Sequence, residues 1–136
     1  MKRYVPTVLS VAGALLGLAW APRASQVPSP KPLVLPLQCK GGDCPLLQGV
    51  PQTAGMRSGF VRLKPGETVG WHTTGKNEES LVILRGRGEA RIEGQAGLSF
   101  TAPAFVYHPP ATRHNVVNTG EDVLEYVYVV APAATQ

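Results

Sequence analysis

From residue 56 onward, apolar positions recur with a period of two in runs too short for helices. Phe60-Val-Arg-Leu63 alternates and halts at Lys64-Pro65-Gly66-Glu67, a strong turn composition. Thr68 to His72 reads as a short second strand. Ser80 to Arg85 holds the near-continuous apolar run Leu81-Val-Ile-Leu84, which predicts a strand buried on both faces. Gly86-Arg87-Gly88 turns the chain, Glu89 to Glu93 alternates, and Gly94 to Gly97 turns it again. Leu98–Phe100 and Phe105–His108 are short strands, the latter ended by Pro109-Pro110. His114 to Asn118 follows, then the turn Thr119–Asp122 and the longest strand, Val123–Val130, with Tyr126 and Tyr128 on one face. About eight strands at short, regular spacing, with no convincing helix, predict an all-β sandwich or barrel. Periodicity alone leaves that choice open.

The first 55 residues follow a different pattern. Lys2 and Arg3 precede an apolar stretch from Val5 to Trp20, and Ala19-Trp20-Ala21 is an A-x-A-like end. Residues 1–21 therefore read as a secretory signal peptide, with an uncleaved N-terminal anchor as the alternative. The stretch is short of the roughly 20 apolar residues of a comfortable membrane span. The expected location is periplasmic or secreted, with membrane contact only through that segment if it is retained. Residues 22–55 read as a lead-in, starting with a linker in which Pro22, Pro28, Pro30, Pro32 and Pro36 favour an extended chain. Cys39 and Cys44 flank Lys-Gly-Gly-Asp, a segment able to turn tightly. An exported chain with an even number of Cys favours a disulfide between them. Free thiols, a redox pair or half of a metal site are the alternatives. Residues 56–136 form the expected domain.

Composition narrows the function classes. Gly and Pro supply 15 and 13 of the 136 residues, which disfavours a helix bundle and suits strands joined by turns. The formal net charge of +4 hints at nucleic acid. Removal of residues 1–21 takes away Lys2 and Arg3 and no acid, and leaves +2. The remaining cations are scattered, with no basic run, so no nucleic-acid partner is expected.

The spacing of polar residues carries a resemblance that bears on the choice between sandwich and barrel. Gly66, His72, Thr74, Glu79 and Gly86 are separated by five, one, four and six residues. Pro103, Pro109, Ala111, His114 and Asn118 are separated by five, one, two and three. These intervals, and the stretch Tyr107-His-Pro-Pro-Ala-Thr-Arg-His-Asn-Val116, resemble the two motifs of the cupin superfamily over about residues 56–131. The resemblance implies a single cupin β-barrel, a jelly roll or double-stranded β-helix. Thr74 stands where the family has a second His, and Pro103 and Ala111 stand where it has Gly.

The resemblance further implies that His72, Glu79 and His114 bind a divalent metal. Two imidazoles and a carboxylate leave open positions and suit Fe(II), with Mn, Ni or Zn as other occupants. His72 and Thr74 lie two apart and would face the same way on a strand. Thr is a poor ligand, but its hydroxyl could bond a metal-bound water. Glu79 shares its phase with Leu81 and Ile83. His108 shares a face with Val106 and is a candidate fourth ligand or acid–base group. Glu78 is a second candidate for the carboxylate or for proton transfer. Trp71 is expected outside the barrel, Arg113 at the surface or the mouth, and Asn118 in a turn. A metal-dependent dioxygenase or isomerase acting on a small molecule is one expectation. A non-catalytic module that binds or senses a small ligand is the other, with a structural envelope protein as a third. A homodimer paired through a strand edge is also expected.

Overall fold

The computed structural model describes residues 29–134. The expected signal or anchor at residues 1–21 lies outside the described residues. Among the described residues all eight elements are strands: β1 (Gly42–Gln48), β2 (Arg57–Leu63), β3 (Asn77–Arg85), β4 (Arg87–Ile92), β5 (Leu98–Thr101), β6 (Ala104–His108), β7 (His114–Asn118) and β8 (Leu124–Pro132). They form a five-stranded sheet in the order β1-β2-β8-β3-β6 and a three-stranded sheet in the order β5-β4-β7. Every pairing between these strands is antiparallel. The two sheets face each other as an all-β jelly roll, as the motif resemblance implied.

The core lies between the sheets. Val61, Leu63, Leu81, Ile83, Leu124 and Tyr126 from the larger sheet pack with Ala90 and Val116 from the smaller. Each fully buried Leu or Ile side chain contributes about 1.5–3 kcal/mol by leaving water. β3 alternates instead of burying both faces. Leu81 and Ile83 are buried, while Val82 and Leu84 stand on the outer face with Phe105 and Tyr107 of β6, all exposed. The apolar run therefore reflects an uncovered sheet face rather than a central buried strand.

Two elements differ from the sequence pattern. β1 falls within the stretch read as lead-in. It is an edge strand, so Pro45 needs no ladder donor, and its pairing shifts register between Pro45 and Leu47. Thr68–His72 forms no continuous strand. It touches β7 through the isolated bridges Thr68↔Val117 and His72↔His114. Gly70, with φ of +85°, breaks the ladder between them, a conformation glycine adopts without steric penalty. Cys39 and Cys44 are joined in a disulfide, with Cα atoms 5.7 Å apart, beside the start of β1.

Candidate metal centre

His72 and His114 are held as a backbone pair. Each amide N–H donates to the other residue's carbonyl at 2.9 Å. Their ring centroids lie 4.4 Å apart. Each imidazole is then locked by its own chain, because His72 Nδ1 lies 3.0 Å from the Gly70 carbonyl and His114 Nδ1 lies 3.0 Å from the Thr112 carbonyl. A carbonyl can only accept, so both rings carry their proton on Nδ1 and present the Nε2 lone pair. Tying Nδ1 to a carbonyl in this way is the usual orientation device of metal-binding histidines.

β3 brings Glu79 to the same place, on the face of Leu81 and Ile83. Glu79 Oε2 lies 3.0 Å from His114 Nε2 and 3.9 Å from His72 Nε2. The three donor atoms all lie within 4.8 Å of one another. Glu79 Oε2 and His114 Nε2 are buried, yet neither has an aligned hydrogen-bond partner. Burial acts to raise the Glu79 carboxyl, but in the metal-free protein hydrogen bonds and charge from His114 and His72, when their rings take up a second proton on Nε2, outweigh it and hold the group down at about 2. The His72 imidazole is raised, chiefly by Glu79. An ionised carboxylate and two aimed Nε2 atoms fit a divalent cation of the kind the sequence implied.

The other sequence candidates lie elsewhere. Thr74 borders the cavity, but its hydroxyl donates to the Asn77 carbonyl at 2.9 Å while the Asn77 amide donates back to the Thr74 carbonyl. It closes the turn into β3. Glu78 alternates with Glu79 and faces the outer side of the sheet, where its carboxylate accepts from the Tyr107 hydroxyl at 3.0 Å. That places it on the wrong face for proton transfer in the cavity. His108 points inward, as expected from the phase of β6, and is completely buried. Its ring stacks on His114 with centroids 3.8 Å apart and planes 16° apart. Lone pairs in near-parallel rings run side by side rather than converging, so His108 is not placed as a fourth ligand. Neither of its nitrogens has a hydrogen-bond partner among the described residues. Burial and the neighbouring His114 lower its imidazole to about 4, which keeps it neutral. Trp71 lies outside the barrel with the Arg113 guanidinium over its ring, and Arg113 also pairs with Glu93 at 2.6 Å. Arg113 is thus a surface residue. Asn118 closes its turn: it donates to the Leu63 and Asp122 carbonyls and accepts from the Gly120 amide, each at 2.8 Å.

The triad opens into a cavity of about 510 Å³. Its walls include Val61, Val69, Val116 and Val130, with Tyr126 and Tyr128 from β8. Asp43, Pro45, Leu47 and Gln48 of β1 close one side, and Arg57 of β2 stands beside them. The sequence reading missed this wall, because β1 carries a proline and no clean alternation. Tyr128 lies across Gly59, where a Cβ would come within 2.5 Å of its ring, and its hydroxyl reaches Asp43 at 3.5 Å. Burial and Asp43 push the Tyr128 phenol up to about 12, and burial likewise raises the Asp43 carboxyl.

Comparison with known proteins agrees with this architecture. A family model described as "Cupin domain" matches residues 59–130. "Polyketide synthase CurC" of Streptomyces cyaneus is 30% identical over 102 residues, covering 73% of this chain and 65% of that protein's length. A solved Bacillus halodurans structure aligns with a TM-score of 0.66 at 19% identity, over 79% of this chain and 86% of that one. A Cupin 2 conserved barrel domain protein from Salinispora arenicola aligns with a TM-score of 0.58 at 26% identity, over 79% and 92%. The matched family span runs from β2 into β8 and takes in both His-bearing segments, and on that ground the chain belongs to the cupin family.

Proposed function

We propose that the protein binds one divalent metal ion through His72, Glu79 and His114 and uses the cavity above it to hold a small molecule that also coordinates the metal. The observation that carries this reading is the pair of Nδ1-locked imidazoles facing Glu79, with Glu79 Oε2 and His114 Nε2 buried and without aligned hydrogen bonds among the described residues. Three protein ligands leave coordination positions open. A bound ion would supply Lewis acidity, or a redox centre if it is iron. The chain's own residues do the rest. The Gly70 and Thr112 carbonyls fix the imidazole tautomer. The valines and tyrosines exclude water from one side of the bound molecule. The Tyr128 hydroxyl and Asp43 carboxyl supply a proton-bearing pair on the wall.

A metal-dependent dioxygenase or isomerase acting on a small molecule is the reading these features support best. A non-catalytic ligand-binding cupin is the second, favoured by the engagement of Thr74 in a turn and by Glu78 facing away. Export is part of the proposal, supported by the apolar N-terminal sequence and by the Cys39–Cys44 disulfide.

The test is elemental analysis of protein purified from metal-replete cells. One equivalent of metal per chain is expected, lost in both His72→Ala and His114→Ala. Metal-free wild type whose stability does not change in chelator would remove the metal reading. Oxygen uptake with chelating candidate substrates in the iron-loaded protein then separates the dioxygenase from the binding module.

A further inference from the structure

The register of the larger sheet sets one transverse row across its inner face: Gln48, Arg57, Val130, Glu79 and His108. Side chains in register on neighbouring antiparallel strands stand on the same face. Arg57 and Glu79 are separated by a single strand, so their Cα atoms lie about 10 Å apart. Val130 between them is apolar and buried. Arg57 lines the same cavity as His72 and Glu79 and has no carboxylate partner among the described residues. Arg62, which faces the other way on the same strand, is paired with Glu125 at 2.8 Å. The carboxylate of Asp43 lies at the far end of β1 from Gln48, drawn toward the Tyr128 hydroxyl.

We propose that Arg57, with Gln48 beside it, is an anion-binding subsite of the cavity, and that the molecule held there is a small acid with a metal-chelating head and a carboxylate tail. This rests on the metal reading for the head and on Arg57 alone for the tail. A guanidinium presents a planar fork of donors that matches a carboxylate, and the Gln48 amide adds a neutral donor. Val130 lies under the chain that joins the two ends. The separation suits a short linker of a few carbons.

Two probes separate the ends. Acetohydroxamate is a chelating head without an anionic tail, and succinate is a short dicarboxylate. Both are titrated by calorimetry into the Mn-loaded wild type, Arg57→Gln and Arg57→Lys, with metal content measured on each. Arg57→Gln is expected to keep its metal and its acetohydroxamate affinity within about twofold, and to bind succinate about ten- to a hundredfold more weakly, the range for a lost charge-assisted pair. Arg57→Lys should fall between, since it keeps the charge and loses the fork. Equal succinate affinity in wild type and Arg57→Gln overturns the subsite. Should no variant take up Mn, the metal reading fails, and succinate binding to metal-free wild type against Arg57→Gln decides the subsite alone. A tenfold difference there supports it, and no difference overturns it.

Discussion

His108 makes metal-free stability depend on pH in a way that can be isolated. Its ring is completely buried against His114 with no partner for either nitrogen, and its pKa falls from 6.5 to about 4. In the unfolded chain it takes up a proton near its ordinary value. Between those two pH values the unfolded state binds more protons than the folded state. Stability is therefore full above about 6.5 and falls as pH drops toward 4. At about 1.4 kcal/mol per pH unit, the lowering bounds the loss at about 3 kcal/mol. Because buried protein sites respond with an effective dielectric constant well above that of dry protein, the expected loss is nearer about 2 kcal/mol. Urea denaturation in chelator at about pH 7 and about pH 4 measures it, with His108→Leu as the control that cannot protonate. The raised His72 imidazole acts in the opposite direction but is present in both proteins, so it cancels in the comparison. The lowered Glu79 carboxyl, present above about 4.5 and lost as pH falls toward 2, also cancels. Wild type should lose about 2 kcal/mol more than His108→Leu on acidification. Equal losses in the two proteins would refute the claim that His108 is buried neutral and unpaired. His108→Leu should also keep its full metal content, whereas a drop would mark His108 as a ligand after all.

Four further outcomes are expected. Asn118→Ala strips three hydrogen bonds, one buried and two part-buried, from one turn and should lower stability by about 2–4 kcal/mol in urea denaturation. Ala111 sits at φ of 60°, the left-handed region, and its amide is anchored to the Gly75 carbonyl. Relief of that strain, less the greater chain entropy of glycine, should make Ala111→Gly more stable by about 0.5–1 kcal/mol, and a loss of stability would contradict the backbone geometry. Thr74→His should tighten metal binding about tenfold or more by adding a ligand, while the metal-free form loses about 1 kcal/mol with the hydroxyl bond to Asn77. Metal competition assays and chelator-phase melting read the two effects separately. Gly59→Ala places a methyl 2.5 Å from the Tyr128 ring, so it should displace that ring from Asp43, cost about 1–3 kcal/mol, and move the Tyr128 phenol back toward its ordinary range in a spectroscopic titration.

The strands were legible in the sequence because they rest on local rules, and the barrel and the triad were legible through the resemblance to the cupin motifs. Short apolar runs, some alternating and one near-continuous, marked seven of the eight described strands, and turn residues separated them. The phase of Glu79 with Leu81 and Ile83 placed it inside, and the phase of His108 with Val106 did the same. The motif intervals then picked out His72 and His114. Less legible were the elements whose fate depends on what packs over them. Leu81-Val-Ile-Leu84 looks buried on both faces, but the outer face of the larger sheet leaves Val82 and Leu84 exposed. Gly42–Gln48 looks like a linker, and becomes a strand only because β2 offers it an edge.

What the sequence determined by itself was the all-β class and the strand positions from β2 onward, and the resemblance of its motifs named the three residues whose donor atoms meet. What only the tertiary structure decided was what those residues face. A strand's own pattern sets which side chains share a face. It does not set the register against the next strand, and the register aligns Arg57 and Gln48 with Glu79 across the sheet. Ring orientation is likewise tertiary. His108 was expected inward from its phase, but its near-parallel stack on His114, a ring carried by the other sheet, is set by how the two sheets meet. The alternation sets which face a residue is on, and long-range packing decides which other groups meet it there.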